Sequence, residues 1–198
     1  MDDTAPVKRA DARRNRERLL DVAVQAFSQD GADVSLESIA KRAKVGIGTL
    51  YRHFPTREAL VEAAYRNELG RLCDGVEALI DSLGAERATR LWMDQFFDYM
   101  TTKRGMADAL RVVIASGGNP FAQSRDRMLA AATTLLEAGA AAGSLRSDIE
   151  PGDVLASLSG VSLAAGDPAK RDQARRLLDL LMDGLRYGIP SVDSTAHR

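Results

Sequence analysis

Several residue types are scarce in this 198-residue chain, and each scarcity closes off a class of protein. Cys73 is the single cysteine, so no disulfide can form within the chain and a disulfide-stapled secreted scaffold is excluded. The two histidines, His53 and His197, stand in no metal-ligand or nucleophile–base pattern, and no pair of acids has supporting spacing. No cofactor and no catalytic activity are therefore expected. Glycine-rich phosphate loops and internal repeats are also missing. No apolar run reaches membrane-spanning length, and the charged start lacks the core of a signal peptide, so a cytoplasmic location is expected. Nor is there a surplus of either charge. Lysine and arginine number 27 against 28 aspartates and glutamates, a net charge of −1, which excludes a uniformly basic nucleic-acid coat.

The charge that is present is unevenly placed. Up to Arg57 there are 11 basic residues against 8 acidic ones; the remainder carries 16 against 20. A mildly basic head on an acidic body suits a protein that meets a polyanion on one side only. Arg13, Arg14, Arg16 and Arg18 open the first helix of that head. A phosphate contact is one use for them, and a solvated helix face is the commoner one.

Residues 35–54, SLESIAKRAKVGIGTLYRHF, are the most informative stretch. Ser35 stands where a helix N-cap should, without the full capping box because Ser38 replaces Glu or Gln. Leu36, Ile39, Ala40 and Ala43 recur at helical spacing as one buried stripe. Lys41, Arg42 and Lys44 crowd the helix end, where cations suit the negative pole. Gly46 and Gly48 each weaken a following helix by about 1 kcal/mol relative to alanine, and permit close backbone approach to a phosphate or base edge. A second helix of about two turns is anchored by Leu50 and Phe54, four residues apart. Thr49, Tyr51, Arg52 and His53 point their polar tips elsewhere. Helical periodicity turns Ile47 inward with Leu50 and Phe54. By spacing alone this is either a helix-turn-helix that enters a DNA groove or an ordinary helical turn.

The full string resembles the TetR family of bacterial transcriptional regulators. The shared features are Phe27 to Gly31 closing the first helix, Ser35 with Ile39-Ala40 in the second, Thr-Leu-Tyr-x-His-Phe over Thr49 to Phe54, and Thr56-Arg57-Glu58-Ala59-Leu60 opening the fourth. The likeness covers about residues 13–62 and is highly specific. It implies an all-α fold, with an N-terminal three-helix DNA-binding domain joined to a larger helical ligand-binding and dimerisation domain. It implies DNA contacts by Thr49, Tyr51 and His53, a phosphate held by Arg57, and Ile47 at the groove, against the inward position that periodicity gives it. Lys44, Gly46, Gly48 and Arg52 complete the expected interface. Lys44 departs from the glycine common in this turn, which predicts a non-glycine residue at positive φ.

The rest of the chain reads as helices over 56–83, 86–103, 106–115, 121–142, 153–165 and 168–187, the first taken as one rigid rod. The expected division is a flexible tail over 1–10, the helix-turn-helix domain over 11–57, a regulatory and dimerisation domain over 58–187 and a flexible tail over 188–198. Trp92, Phe96, Phe97, Met100, Leu110, Phe121 and Met128 form the expected bulky cluster, either plain core or the lining of a cavity for a small apolar or amphipathic effector. Trp92, Arg111 and Asn119 are polar enough to orient such a ligand. Cys73 falls in line with Leu69, Leu72 and Val76 and reads as a core thiol. Leu155, Leu158 and Ser162, with Leu177, Leu181 and Leu185, form two helical stripes that either cover their own domain or pair with a second subunit. The resemblance implies a four-helix bundle between the last helices of two copies. The expected protein is a homodimeric, effector-released repressor of a near-palindromic operator. The alternative is a helical sensor or interaction protein with a vestigial DNA site.

Overall fold

The computed structural model describes residues 4–186. Among them the order is α1 (Thr4–Gln29), α2 (Leu36–Arg42), α3 (Ile47–His53), α4 (Arg57–Cys73), α5 (Val76–Leu83), α6 (Ala85–Gly105), α7 (Ala107–Ala115), α8 (Ser124–Ala141), α9 (Pro151–Ala165), a short 3-10 turn (Pro168–Lys170) and α10 (Arg171–Arg186). The all-helical expectation holds. Packing divides the described residues into two units, one drawn from Met1–Arg71 and Tyr99–Ser124, the other from Leu72–Asp98 and Arg125–Arg198.

This division differs from the boundary expected at residue 57. Most of α4, with α7, belongs to the same unit as the helix-turn-helix. The reason is a shared core: Leu60, Val61 and Ala64 of α4 are buried like Leu19, Ala23 and Phe27 of α1, Ile39 of α2 and Leu50 of α3. Tyr65 of α4 shares a buried hydrogen bond with Tyr99, lies 3.3 Å from the Ser124 hydroxyl, and meets Phe121 edge-on with ring centroids 5.2 Å apart. Near Gly105, at the end of α6, the chain passes so close to α1 that an added Cβ would lie 2.9 Å from Ser28 Cβ.

Two further expectations need correction. The helix expected from Asp11 already runs from Thr4, within the stretch expected as a tail; the tail expected over 188–198 lies outside the described residues. The rod expected over 56–83 is two helices, because Asp74-Gly75 interrupts it and Gly75 caps α5. One glycine at a point where helical pairing lapses is enough, since it gains least from staying helical.

In the second unit Trp92 is buried and its indole N–H donates to the Leu72 carbonyl at 2.9 Å. Arg90 bridges Asp94 and Asp179, at 2.7 Å each, and Arg186 reaches Glu86 at 2.8 Å, so ion pairs fix α10 against α6. Helix α9 packs on α10. Helix α8 ends at Ala141, and Gly143 just beyond it has φ 66°; the Ser144 amide returns to the Gly139 carbonyl at 3.0 Å and the Gly143 amide to Ala140 at 3.0 Å. The chain folds back so tightly that a Cβ on Gly139 would lie 2.3 Å from Leu145 Cδ1.

Candidate nucleic-acid interface

The recognition motif is built from local rules. The Ser35 hydroxyl accepts the Ser38 amide at 3.1 Å and starts α2. At the other end Lys44 sits at φ 56°, the Val45 amide donates to Ala40 at 3.0 Å, and the Lys44 amide donates to Lys41 at 3.1 Å. This pair of return bonds is the Schellman closure, with lysine where glycine is usual. Positive φ at Lys44 thus matches the sequence expectation. The turn brings the chain to Gly46, which caps α3 with no side-chain bond.

Helix α3 is pinned by Leu50, fully buried, and by Phe54 at its end, which Arg16 covers with its guanidinium carbon 5.4 Å from the ring centroid. The opposite face is open. Tyr51 is 46% exposed and Ile47 36% exposed, and Arg52, Lys44, Gly46 and Gly48 are exposed; Thr49 and His53 are half-buried. Ile47 therefore lies on the outer side, as the family resemblance implied and against the inward position that periodicity gave it. A Cβ on Gly46 or Gly48 would meet nothing in this chain, and neither glycine has positive φ. Their small size is not demanded by the chain's own packing.

The start of α1 borders α3, an adjacency that the sequence reading did not name. Asp11, Ala12 and Asn15 line a cleft of about 410 Å³ together with Thr49, Arg52 and His53. The arginine run at the start of α1 was the available signal. Three of its members are occupied along the helix: Arg13 pairs with Glu17 at 3.7 Å, Arg14 pairs with Asp11, and Arg18 donates to Asn15 at 2.6 Å. Arg42 is tied to Asp30 at 2.6 Å.

Arg57 is placed differently from what the resemblance implied. Its guanidinium points into the protein, donating to the carbonyls of Val34, at 2.6 Å, and Ala32, and lying 5.1 Å above the Phe27 ring centroid. Thr56 supplies the cap of α4 by accepting the Ala59 amide at 3.1 Å.

The residues expected to line an effector cavity are shared out between the units. Trp92, Phe96, Phe97 and Met128 fall in one; Met100, Leu110 and Phe121 fall in the other. Trp92, Phe96, Phe97 and Leu110 are buried, and Met100, Phe121 and Met128 half-buried. The Trp92 N–H is used by Leu72, while Arg111 is exposed and paired with Asp108, and Asn119 is exposed. None of these three aims a free polar group into a core. A cleft of about 370 Å³ instead lies among Cys73, Asp74, Glu77, Arg127 and Thr134. Cys73 is half-buried rather than core, and burial pushes its thiol up to about 11, which leaves it little thiolate at neutral pH.

The proposed association stripes also shift. Leu155, Leu158, Ser162 and Leu185 are buried within their own unit, and Leu177 and Leu181 are half-buried. The outer faces of the same helices carry Leu163, 85% exposed, and Leu180, 69% exposed. Helix α9, with Asp153 as its one charge, is apolar nearly all round, so both its buried and its outer face carry leucines.

Comparison with known proteins agrees with this architecture. Residues 19–64 match the family described as bacterial regulatory proteins, tetR family, and residues 84–187 match the C-terminal domain of SbtR-like transcriptional regulators. The TetR transcriptional regulator SCO0520 from Streptomyces coelicolor is 54% identical, with a TM-score of 0.85 over 88% of this chain and 99% of that one. A TetR transcription regulatory protein from Mycobacterium vanbaalenii is 32% identical, with a TM-score of 0.74 over 90% and 99%. An HTH-type transcriptional regulator of Staphylococcus aureus is 37% identical over 62 residues, 31% of this chain. That match is 34% of the relative, so the chain spans about a third of the length of the curated relatives it matches.

Proposed function

Because this chain belongs to the TetR family of bacterial transcriptional regulators, we propose that it binds a near-palindromic operator as a homodimer and is released by a small apolar or amphipathic effector. The family is one of regulators, not of enzymes. The carrying observation is α3: a two-turn helix held from behind by Leu50 and Phe54, with Ile47, Tyr51 and Arg52 facing outward. Tyr51, Arg52, Thr49 and His53 contact phosphates or base edges on this reading, and Ile47 meets a thymine methyl. The open space over Gly46 and Gly48 lets the sugar-phosphate backbone come close. Lys44 adds a cation at the turn.

A single two-turn helix offers too little contact for specific binding, so two copies are needed. The outer faces of α9 and α10, with Leu163 and Leu180, are the proposed mutual surface. Covering Leu163 on the nearly uncharged α9, and Leu180 on the charged α10, is favourable by about 25 cal/mol per Å² of apolar area removed from water. Two recognition helices related by a two-fold then meet successive major grooves about 34 Å apart. Effector and DNA each weaken the other's binding by the same factor.

The test is selection of duplexes from a random pool by the full-length chain, followed by sedimentation. A palindromic product bound two chains to one duplex is expected; monomers on and off DNA at micromolar concentration exclude the dimer. Tyr51→Ala should weaken binding while leaving the unfolding midpoint in place. Leu50→Ala should instead lower stability by about 2–5 kcal/mol, read by urea titration.

A further inference from the structure

We propose that Arg57 is a positioning residue of the DNA-reading head, acting on the α1–α2 connection from inside the protein rather than on a phosphate. The inference rests on the DNA-binding reading above. Three observations carry it. Both arms of the guanidinium are engaged by carbonyls of the connection, Ala32 and Val34. Its face lies over Phe27, a fully buried ring in the last turns of α1. And the bonded stretch ends one residue before Ser35, the cap that starts α2.

The physical need is clear from the backbone. Gly31 turns the chain out of α1 at φ 80°, and the carbonyls that follow belong to no helix ladder. A planar fork of donors satisfies two such oxygens at once and stacks on an aromatic face, which an ammonium does not do. Arg57 thereby fixes where α2 begins, and α2 with its Lys44 closure fixes where α3 begins. Arg57 also ties the start of α4 to this connection.

Helix α7 bears on the same point. Ala109, Val112 and Val113 line, with Ala32, Arg57, Glu58 and Val61, a small cleft of about 10 Å³. That is at the lower limit for one water, so α7 borders the clamp with little room between them. A displacement of α7 is felt first by Ala32 and Arg57, and so by the entry to the recognition motif.

The experiment uses the full-length chain, a duplex selected from a random pool by the wild type, and Arg57→Ala, Arg57→Gln and Arg57→Lys. DNA affinity is measured against salt, and amide hydrogen exchange is followed without DNA. Expected for Arg57→Ala is about a ten-fold loss of affinity with an unchanged salt slope, since no phosphate partner is lost. Exchange at residues 32–36 should quicken about ten-fold while the core of α4 keeps its protection. Arg57→Gln, a neutral donor to one carbonyl, should recover part of the affinity, and Arg57→Lys should do no better. A salt slope reduced by about one unit in both the Ala and Gln variants overturns the proposal, and so does unchanged exchange at 32–36. If the wild type selects no duplex, the DNA-binding reading fails by itself and the exchange measurement still decides the clamp.

Discussion

Two helices of this chain close with the same bonds and opposite side chains. At the end of α8 the residue with positive φ is Gly143, and the residue three from the helix end is also glycine, Gly139, on which Leu145 folds down. At the end of α2 the corresponding residues are Lys44 and Ala40. The α8 closure uses the residue that lowers its conformational energy. The α2 closure does not: an L residue at φ 56° costs about 1 kcal/mol or more. The α8 turn accommodates the fold-back of Leu145 onto Gly139. On the DNA-binding reading proposed above, the α2 turn has a second use, an exposed cation beside α3.

That contrast can be broken at three points. The largest effect is expected at Gly139→Ala, whose methyl would lie 2.3 Å from Leu145 Cδ1; displacing a buried leucine should lower stability by about 1–3 kcal/mol in urea titration. If stability is unchanged, the fold-back of Leu145 is not tight. Next is Gly143→Lys, which copies the α2 solution into α8 and should cost about 1–2 kcal/mol, read as a lower unfolding midpoint. The smallest change in stability, about 0.5–1 kcal/mol and in the stabilising direction, belongs to Lys44→Gly. The same variant should bind DNA more weakly, with a salt slope reduced by about one unit. A more stable protein with undiminished DNA affinity would leave the lysine in that turn without a functional reason.

The recognition motif was legible because its determinants are local. Ser35 caps within one turn, Leu50 and Phe54 meet on one face, and the positive φ at Lys44 follows from the closing bonds of α2 itself. The features that escaped depend on contacts distant in sequence. The direction of Arg57 is set by carbonyls of the 32–34 connection, whose course depends on Gly31. The break at Asp74-Gly75 lies in a run whose apolar spacing reads as one helix. In α9 the buried and outer faces are both apolar, so periodicity alone does not separate the face of Leu158 and Ser162, buried in this chain, from the exposed face of Leu163. The inclusion of α4 with the head follows from the Tyr65 contacts with Tyr99, Phe121 and Ser124, which no local pattern announces.

Trp92 gives the molecule an optical gauge of its own. It is the chain's single tryptophan, and its indole N–H is bound to the carbonyl of Leu72, one residue before the end of α4. A buried indole emits at shorter wavelength than one in water, and its emission follows the dipole bonded to its nitrogen. Any rearrangement where α4 gives way to α5 therefore changes the colour and lifetime of the fluorescence from one known atom pair. Titration with duplex DNA or with a candidate effector can be followed in the unlabelled protein, and opposite spectral shifts from the two would be the signature of two conformations in competition.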